Sequence, residues 1–278
     1  MAPSDVREAP VEPLREDELD DALALSAEAG WNQTAADWAL MLRLGSTFAV
    51  RDGGRVVATA LALPYAPVLG WVSMVLVHGP YRRRGLATRL VERATATLTA
   101  AGLLPVLDAT PDGAEVYARM GYRPVDRLMR WRGPGSGDGD ARAAGPAPGA
   151  GLLELDRTAF GADRGAVLAD LAARPAPAVA VDPEGSGFLL SRAGRTATQL
   201  GPLVARDAAT AVALLRHGLD GVTGTAVADV PERATAVAGL LEARGFAPER
   251  PFVRMAHGRD AIAGEQALIH AIAGPELG

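Results

Sequence analysis

Cysteine and lysine are both absent from the 278 residues. The first absence removes disulfides, thiolate metal sites and cysteine nucleophiles together. The second makes all 28 basic side chains arginine, which excludes a P-loop lysine, a Schiff base and pyridoxal chemistry. Histidine is scarce: His78, His217, His257 and His270 stand without ligand spacing, so no metal site is expected. Residues 1–13 carry no apolar signal core, and no apolar run has the length of a membrane span. A net charge of −5 argues against a general affinity for nucleic acid or anionic membrane. The expectation is a cytoplasmic protein without nucleic-acid or membrane partners, either monomer or homodimer.

What the chain does have is apolar material, 49% of its residues, in a length sufficient for two modest domains. Its organising stretch runs from the apolar Trp71-Val72-Ser73-Met74-Val75-Leu76-Val77 through the basic turn His78-Gly79-Pro80-Tyr81-Arg82-Arg83-Arg84 into a helix that begins at or just before Gly85. No acidic residue occupies that helix's first turn. Unpaired N–H groups at a helix start carry partial positive charge, Gly85 and Ala87 leave room beside them, and three arginines add full charges. The turn therefore has the makings of an anion site.

Upstream, 14–29 has helical periodicity ended by Gly30, and Thr34 or Asp37 opens a second helix through Trp38 and Met41. Residues 47–50 and 55–63 are strands about the hairpin turn Asp52-Gly53-Gly54, and 64–70 interrupts the pattern before the central strand. Downstream, a helix with Leu86, Leu90, Val91, Ala94 and Leu98 on one stripe stops at Gly102. Residues 104–109 return as a strand, and Thr110-Pro111 opens the helix that holds Tyr117.

The spacing Arg82-x-x-Gly85-x-Ala87 directly after an apolar strand, followed one helix and one strand later by Val116-Tyr117-Ala118-Arg119-Met120-Gly121-Tyr122, resembles the GNAT superfamily of acyl-CoA-dependent N-acyltransferases. Two departures stand out. Gly79-Pro80 shifts by one the proline usual after the strand, and Thr110 occupies a position where asparagine is common. The resemblance implies a mixed α/β fold, with a mainly antiparallel sheet flanked by helices, in two tandem GNAT-like domains. Residues 1–132 would be the acyl-CoA-binding catalytic domain, 133–151 a Gly/Pro/Ala linker, 152–258 a degenerate second copy and 259–278 a tail able to form a short helix. The second copy is suggested by Arg244-Gly245-Phe246-Ala247-Pro248, which echoes Met120 to Pro124, and by Arg254, which keeps Arg130's distance from its glycine. Gly201-Pro202-Leu203-Val204 stands where the first copy has Met74 to Val77 and lacks the basic turn after it.

The same resemblance assigns roles. Acetyl-CoA or another acyl-CoA would be gripped at its pyrophosphate by the backbone of Arg82, Arg83, Arg84, Gly85, Leu86, Ala87 and Thr88. The edge formed by Val75, Leu76 and Val77 would pair with the pantetheine amides. Tyr117 would be the general acid for the leaving thiolate. Read from the residues themselves, Asp108 near the end of its strand is a base, a cap for Thr110-Pro111 or an ion-pair partner of an arginine, with Glu28, Asp37, Glu115 and His78 as weaker base candidates. Trp31, Asn32, Trp71 and Ser73 would line the site of a small-molecule amine, at the boundary between the two domains. The competing readings are a sensor that binds acyl-CoA without turnover, and an acetyltransferase acting on proteins.

Overall fold

The structure, a computed structural model, describes residues 5–137, 148–175 and 179–278. The chain divides into two compact units between Leu107 and Asp108. In the first, β1 (Glu12–Pro13) is followed by a 3-10 turn at Glu16–Glu18, α1 (Leu19–Glu28), α2 (Ala35–Leu44), β2 (Ser46–Asp52), β3 (Arg55–Tyr65), β4 (Leu69–Val77), α3 (Leu86–Ala100) and β5 (Leu104–Ala109). The strands lie side by side in that order. β1 to β4 are antiparallel, and β5, reached through α3, is parallel to β4.

Local sequence accounts for these elements. Gly53 and Gly54 take φ of 58° and 87°, left-handed values that glycine alone adopts cheaply, and close the β2–β3 hairpin. Thr34 caps α2 in a reciprocal box with Asp37. The apolar stripe of α3 is buried, with Leu86, Leu90, Val91, Ala94 and Leu98 all at most 2% exposed. Leu98 fits against β4 because Gly70 has no side chain; a Cβ there would lie 2.4 Å from Leu98 Cδ2. Residues 64–70 were expected to break the strands, yet Pro64 lies within β3 and β4 begins at Leu69, so the interruption shrinks to a short turn.

The second unit takes up Asp108 and continues with α4 (Pro111–Arg119), β6 (Tyr122–Pro134), α5 (Ala150–Phe160), α6 (Gly165–Ala173), β7 (Ala180–Val181), β8 (Gly187–Arg192), β9 (Thr198–Ala205), α7 (Ala208–Asp220), β10 (Thr225–Pro231), α8 (Thr235–Ala243), β11 (Ala247–His257) and β12 (Ile269–Ala271). Its strand order is β11-β6-β10-β9-β8-β7, with β12 on β9.

β6 and β11 end the two sequence repeats, and they pair antiparallel with a symmetry that the sequence only hinted at. Adding 124 to a β6 residue number gives its β11 counterpart: Gly121 becomes Gly245 and Arg130 becomes Arg254. Arg130 faces Arg250 and Asp126 faces Arg254, which is one pairing seen from both repeats, while Leu128 faces its own counterpart Phe252. The bulges also correspond, at Val125 in β6 and Glu249 in β11. A pseudo-two-fold axis therefore passes between Leu128 and Phe252.

Residues 133–151 were expected to form a linker, but Gly133 and Pro134 complete β6, and Ala150 and Gly151 begin α5. Gly135, Ser136 and Gly137 donate to the carbonyls of Gly224, Leu219 and Val222. The centre of the expected linker, 138–147, lies outside the described residues. The helix expected in the tail is only a 3-10 turn at Gln266–Leu268, after which the chain extends into β12. Ile269, His270, Ala271, Ile272 and Ala273 are all buried. A continuous apolar run buried on all sides is read as helix or strand with equal ease, and here the strand partner decided.

Candidate functional site

β4 and β5 are paired only from Leu69 to Trp71 against Leu104 to Val106, although β4 continues to Val77. From Val72 onward the β4 edge turns away from its parallel neighbour. The departure coincides with a bulge: Thr59 faces Leu76 and Leu61 faces Ser73, so Met74 and Val75 share the place opposite Ala60. Met74 takes φ of 52°, and the buried Thr59 hydroxyl donates to its carbonyl at 2.9 Å, fixing the kink. Val75 and Val77 are partly exposed, whereas Leu76 is 4% exposed and anchors the strand.

Beyond β4 the chain makes one 3-10 turn at Gly79–Tyr81 and reaches the start of α3. Gly85 is the N-cap residue, with φ of 81°, no capping side chain and open space where a Cβ would stand. No acidic residue follows in the first turn. The leading N–H groups of α3, those of Leu86, Ala87 and Thr88, have no carbonyl within the helix to bond, and the helix dipole adds to their charge. Arg83 is held at φ of 61°, an uncommon value for a residue with a side chain. Arg82 folds back so that its Nε donates to Val77 O at 3.0 Å, tying the turn to the end of β4.

Three anchors of this turn are not visible in the sequence. Glu28, the last residue of α1, accepts from Gly79 N–H at 2.8 Å, lies 2.5 Å from His78 Nδ1, and sits 3.5 Å from Arg82 Nη2. Burial opposes its charge, but the hydrogen bonds of His78 and Gly79 prevail and hold its carboxyl below the usual range. Its placement makes Glu28 a clamp on the turn. Tyr81 is buried and donates to Asp52 Oδ2 at 2.5 Å, while Arg84 lies 5.4 Å above its ring. Arg89 donates to the carbonyls of Arg7 and Ala9, fixing the segment ahead of β1 on α3. These partners lie between about 30 and 80 positions away, beyond the reach of any periodicity.

The residues expected near the acceptor divide. Trp71 has no exposed surface and is placed as core, as is Trp38, whose indole donates to Ser26 Oγ at 3.0 Å. Ser73 and Asn32 are each 8% exposed, and Trp31 is partly exposed on the loop between α1 and α2. Gln33, next in that loop, carries no periodicity or motif that marks it in the sequence. Its Oε1 is buried and accepts no hydrogen bond among the described residues. An acceptor so placed has lost water without replacing it, which is costly unless something with an N–H or O–H arrives.

Tyr117 and Asp108 both belong to the second unit. Tyr117 is partly buried on α4, its ring 6.2 Å from that of Tyr122 and packed against Gly113, where a Cβ would lie 3.1 Å from Tyr117 Cε2. Burial pushes its phenol up to about 12. Asp108 takes the last of its three expected fates, the ion pair with an arginine. Its side chain has no exposed surface, although its backbone is partly exposed, and its two oxygens accept from Arg254 Nε and Nη2 at 2.8 and 2.9 Å. Burial opposes the charge of Arg254, but the carboxylate outweighs it and holds the guanidinium above its ordinary pKa. A carboxylate locked in a two-pronged ion pair is poorly disposed to accept an amine proton, so the base role passes from Asp108.

The mirror image of this pair is Arg130–Asp229, at 2.8 Å through both prongs, with Gln199 Nε2 adding a third bond. Asp108 and Asp229 lie near the ends of β5 and β10, corresponding strands of successive repeats, and each meets the arginine of the other. Among the described residues no group of three His, Asp or Glu side chains could hold a metal ion, and no helix is long and apolar enough to cross a membrane.

Comparison with known proteins agrees with this arrangement. The profile of the acetyltransferase (GNAT) family matches residues 7–122, and that of an acetyltransferase (GNAT) domain matches residues 152–271. Among solved structures, a putative acetyltransferase from Pyrococcus horikoshii superposes with a TM-score of 0.81 at 19% identity, covering 97% of this chain and 95% of that one. A tandem GNAT protein from the clavulanic acid biosynthesis pathway superposes at 0.56 and 19% identity, covering 89% and 97%. A GCN5-related N-acetyltransferase from Sphaerobacter thermophilus superposes at 0.59 and 17% identity, covering 92% and 98%. A search of curated proteins found no match. With a GNAT profile on each repeat and the mixed, mainly antiparallel fold, the chain belongs to the GNAT superfamily of acetyltransferases as a tandem-domain member.

Proposed function

We propose that the protein transfers an acyl group, acetyl by default, from acyl-CoA to the amine of a small molecule, and that the first unit holds the acyl-CoA. The observation that carries this reading is the parting of β4 from β5 after Trp71 and Val106, in line with the uncapped start of α3. An extended arm bearing amides fits the freed β4 edge at Val75 to Val77, and a diphosphate fits the N–H groups of α3 with Arg82, Arg83 and Arg84 around it.

In the reaction a neutral amine attacks the thioester carbon, the carbon–sulfur bond breaks, and the sulfur leaves as a thiolate that takes up one proton while the nitrogen loses one. Developing charge on the carbonyl oxygen calls for a fixed donor, which a β4 N–H beside the bulge would provide. Tyr117 keeps the role of donor to the leaving sulfur. Full transfer from a phenol at about 12 to a thiolate of ordinary pKa near 8.5 is uphill by roughly 5 kcal/mol, so Tyr117 serves chiefly as a hydrogen-bond donor to the thiolate. Gln33 Oε1 supports the amine side, where it would accept an N–H of the incoming nucleophile alongside Trp31 and Asn32. With Asp108 engaged by Arg254, the amine sheds its proton to water.

The test is release of free thiol from acetyl-CoA across a panel of small primary amines, with mass-spectrometric detection of the N-acetyl product. Binding of CoA without thiol release for any amine would favour the sensor instead, and acetylation confined to added polypeptides would favour protein acetylation.

A further inference from the structure

The kink that frees the edge of β4 recurs in β9. Leu189 faces Leu203 and Ser191 faces Leu200, so Gly201 and Pro202 share the place opposite Leu190, as Met74 and Val75 do opposite Ala60. Gly201 takes φ of 141°, positive as in Met74 at 52° though in a more extended region. Leu203 and Val204 therefore correspond to Leu76 and Val77. The parallel neighbour leaves early here as well: β9 and β10 pair only as far as Leu200 and Ala228, although β9 runs on to Ala205.

In the second unit the gap is filled. Val204 pairs with Phe188 of β8 on one side and with Ile269 of β12 on the other, and Leu203 pairs with Leu189 and Ala271. β12 thus lies on the β10 side of β9, and Ile272 N–H spans to Asp229 O of β10 at 2.9 Å. Ile269, Ala271, Ile272 and Ala273 are each at most 1% exposed. Gly201 makes the close approach feasible, since a Cβ there would lie 1.9 Å from Ile272 O. The helix end of the groove is also closed. α7 is capped by Asp207, whose carboxylate accepts from Thr210 N–H at 2.8 Å and its hydroxyl at 3.0 Å, where α3 presents only Gly85.

We infer that residues 269–273 are a built-in occupant of the second repeat's cofactor groove, lying where the pantetheine arm would lie in the first, so that each chain takes up a single acyl-CoA. The inference rests on the reading of the β4 edge given above. A peptide strand and pantetheine offer a β edge the same thing, an extended chain of amides. The tethered strand has the advantage of a high effective concentration, and Asp207 repels a diphosphate at the adjoining helix.

Equilibrium dialysis of the full chain with labelled CoA, together with hydrogen exchange read by mass spectrometry, tests this. One CoA per chain is expected, with the amides of 203–204 and 269–272 protected before CoA is added and unchanged afterwards. Thr88→Asp should weaken that uptake by about tenfold or more. Two CoA per chain, uptake whose affinity Thr88→Asp leaves unchanged, or faster exchange at 269–272 on adding CoA would overturn the inference. Gly201→Ala should speed exchange at 269–272 by about tenfold or more while at most one CoA is bound; unchanged exchange there would also refute it. The two readings fail separately: no uptake by the wild-type chain sinks the assignment of the β4 edge, whereas unprotected amides at 269–272 sink the occupancy.

Discussion

Thr88→Asp separates a binding role of the α3 start from a structural one, because the two move in opposite directions. Thr88 is the third residue of α3 and partly exposed. A carboxylate at that position interacts favourably with the leading N–H groups and the helix dipole, so the folded chain should gain about 0.3–1 kcal/mol. The same carboxylate would stand within about 4–6 Å of a diphosphate on those N–H groups. At an effective dielectric near 20 each charge pair then costs roughly 3–4 kcal/mol before screening. If salt removes two thirds of that, about 1 kcal/mol or more remains per pair and about 2–3 kcal/mol for the two charges of a diphosphate, so affinity should fall by about tenfold to a hundredfold. Titration calorimetry with CoA and thermal unfolding of the same samples give both quantities. Unchanged affinity would refute the anion site, and a melting temperature that fell together with affinity would show that the substitution had merely damaged the helix.

Five further outcomes are expected. Tyr117→Phe should lower kcat by about tenfold or more with CoA affinity nearly unchanged, as steady-state kinetics would show. Because the folded phenol lies at about 12, its stabilising contribution is complete below the unfolded value near 10 and is lost as pH rises through 12, and Tyr117→Phe should flatten that alkaline decline in denaturant titrations. The hydrogen bonds from Arg51 hold the Glu18 carboxyl below its usual range, so its contribution is present above about pH 4.3 and lost as pH falls through the lower folded value; Glu18→Gln should flatten the acid limb of stability. Asp108→Ala should cost about 3–5 kcal/mol by stranding Arg254, and Asp108→Leu with Arg254→Met should recover most of it in chemical denaturation; equal losses for single and double variants would deny the pairing. Arg83→Gly should raise stability by up to about 1 kcal/mol by relieving a left-handed arginine, measured by urea midpoint.

Much of the first unit is legible from sequence because its signals are local. The Gly53-Gly54 hairpin, the Thr34 cap, the five-residue stripe of α3 and the uncapped Gly85 each declare themselves within a few positions. The strand edge at Val75 to Val77 was legible only through the resemblance, since the bulge depends on Thr59 meeting Met74 fifteen residues away. What stayed hidden depends on long-range partners. Nothing near Asp108 announces Arg254, and nothing near Glu28 announces Gly79. The second unit was harder for the same reason: its repeat could be seen in Gly245 and Arg254, but insertion of β6 between β10 and β11 follows from inter-strand bonds that no periodicity encodes.

The crossed pairing of Asp108 with Arg254 and of Arg130 with Asp229 makes the repeats mutually dependent. Were the polypeptide severed in the segment joining them, each fragment would be left with a carboxylate and a guanidinium stranded in apolar surroundings, and neither could neutralise its own. Fragments made together should reassemble and regain both pairs, whereas either made alone should stay unfolded or join a second copy of itself by the same exchange. A mutation that removes one of these charges is therefore best compensated in the opposite half of the chain, so the two halves must change in step.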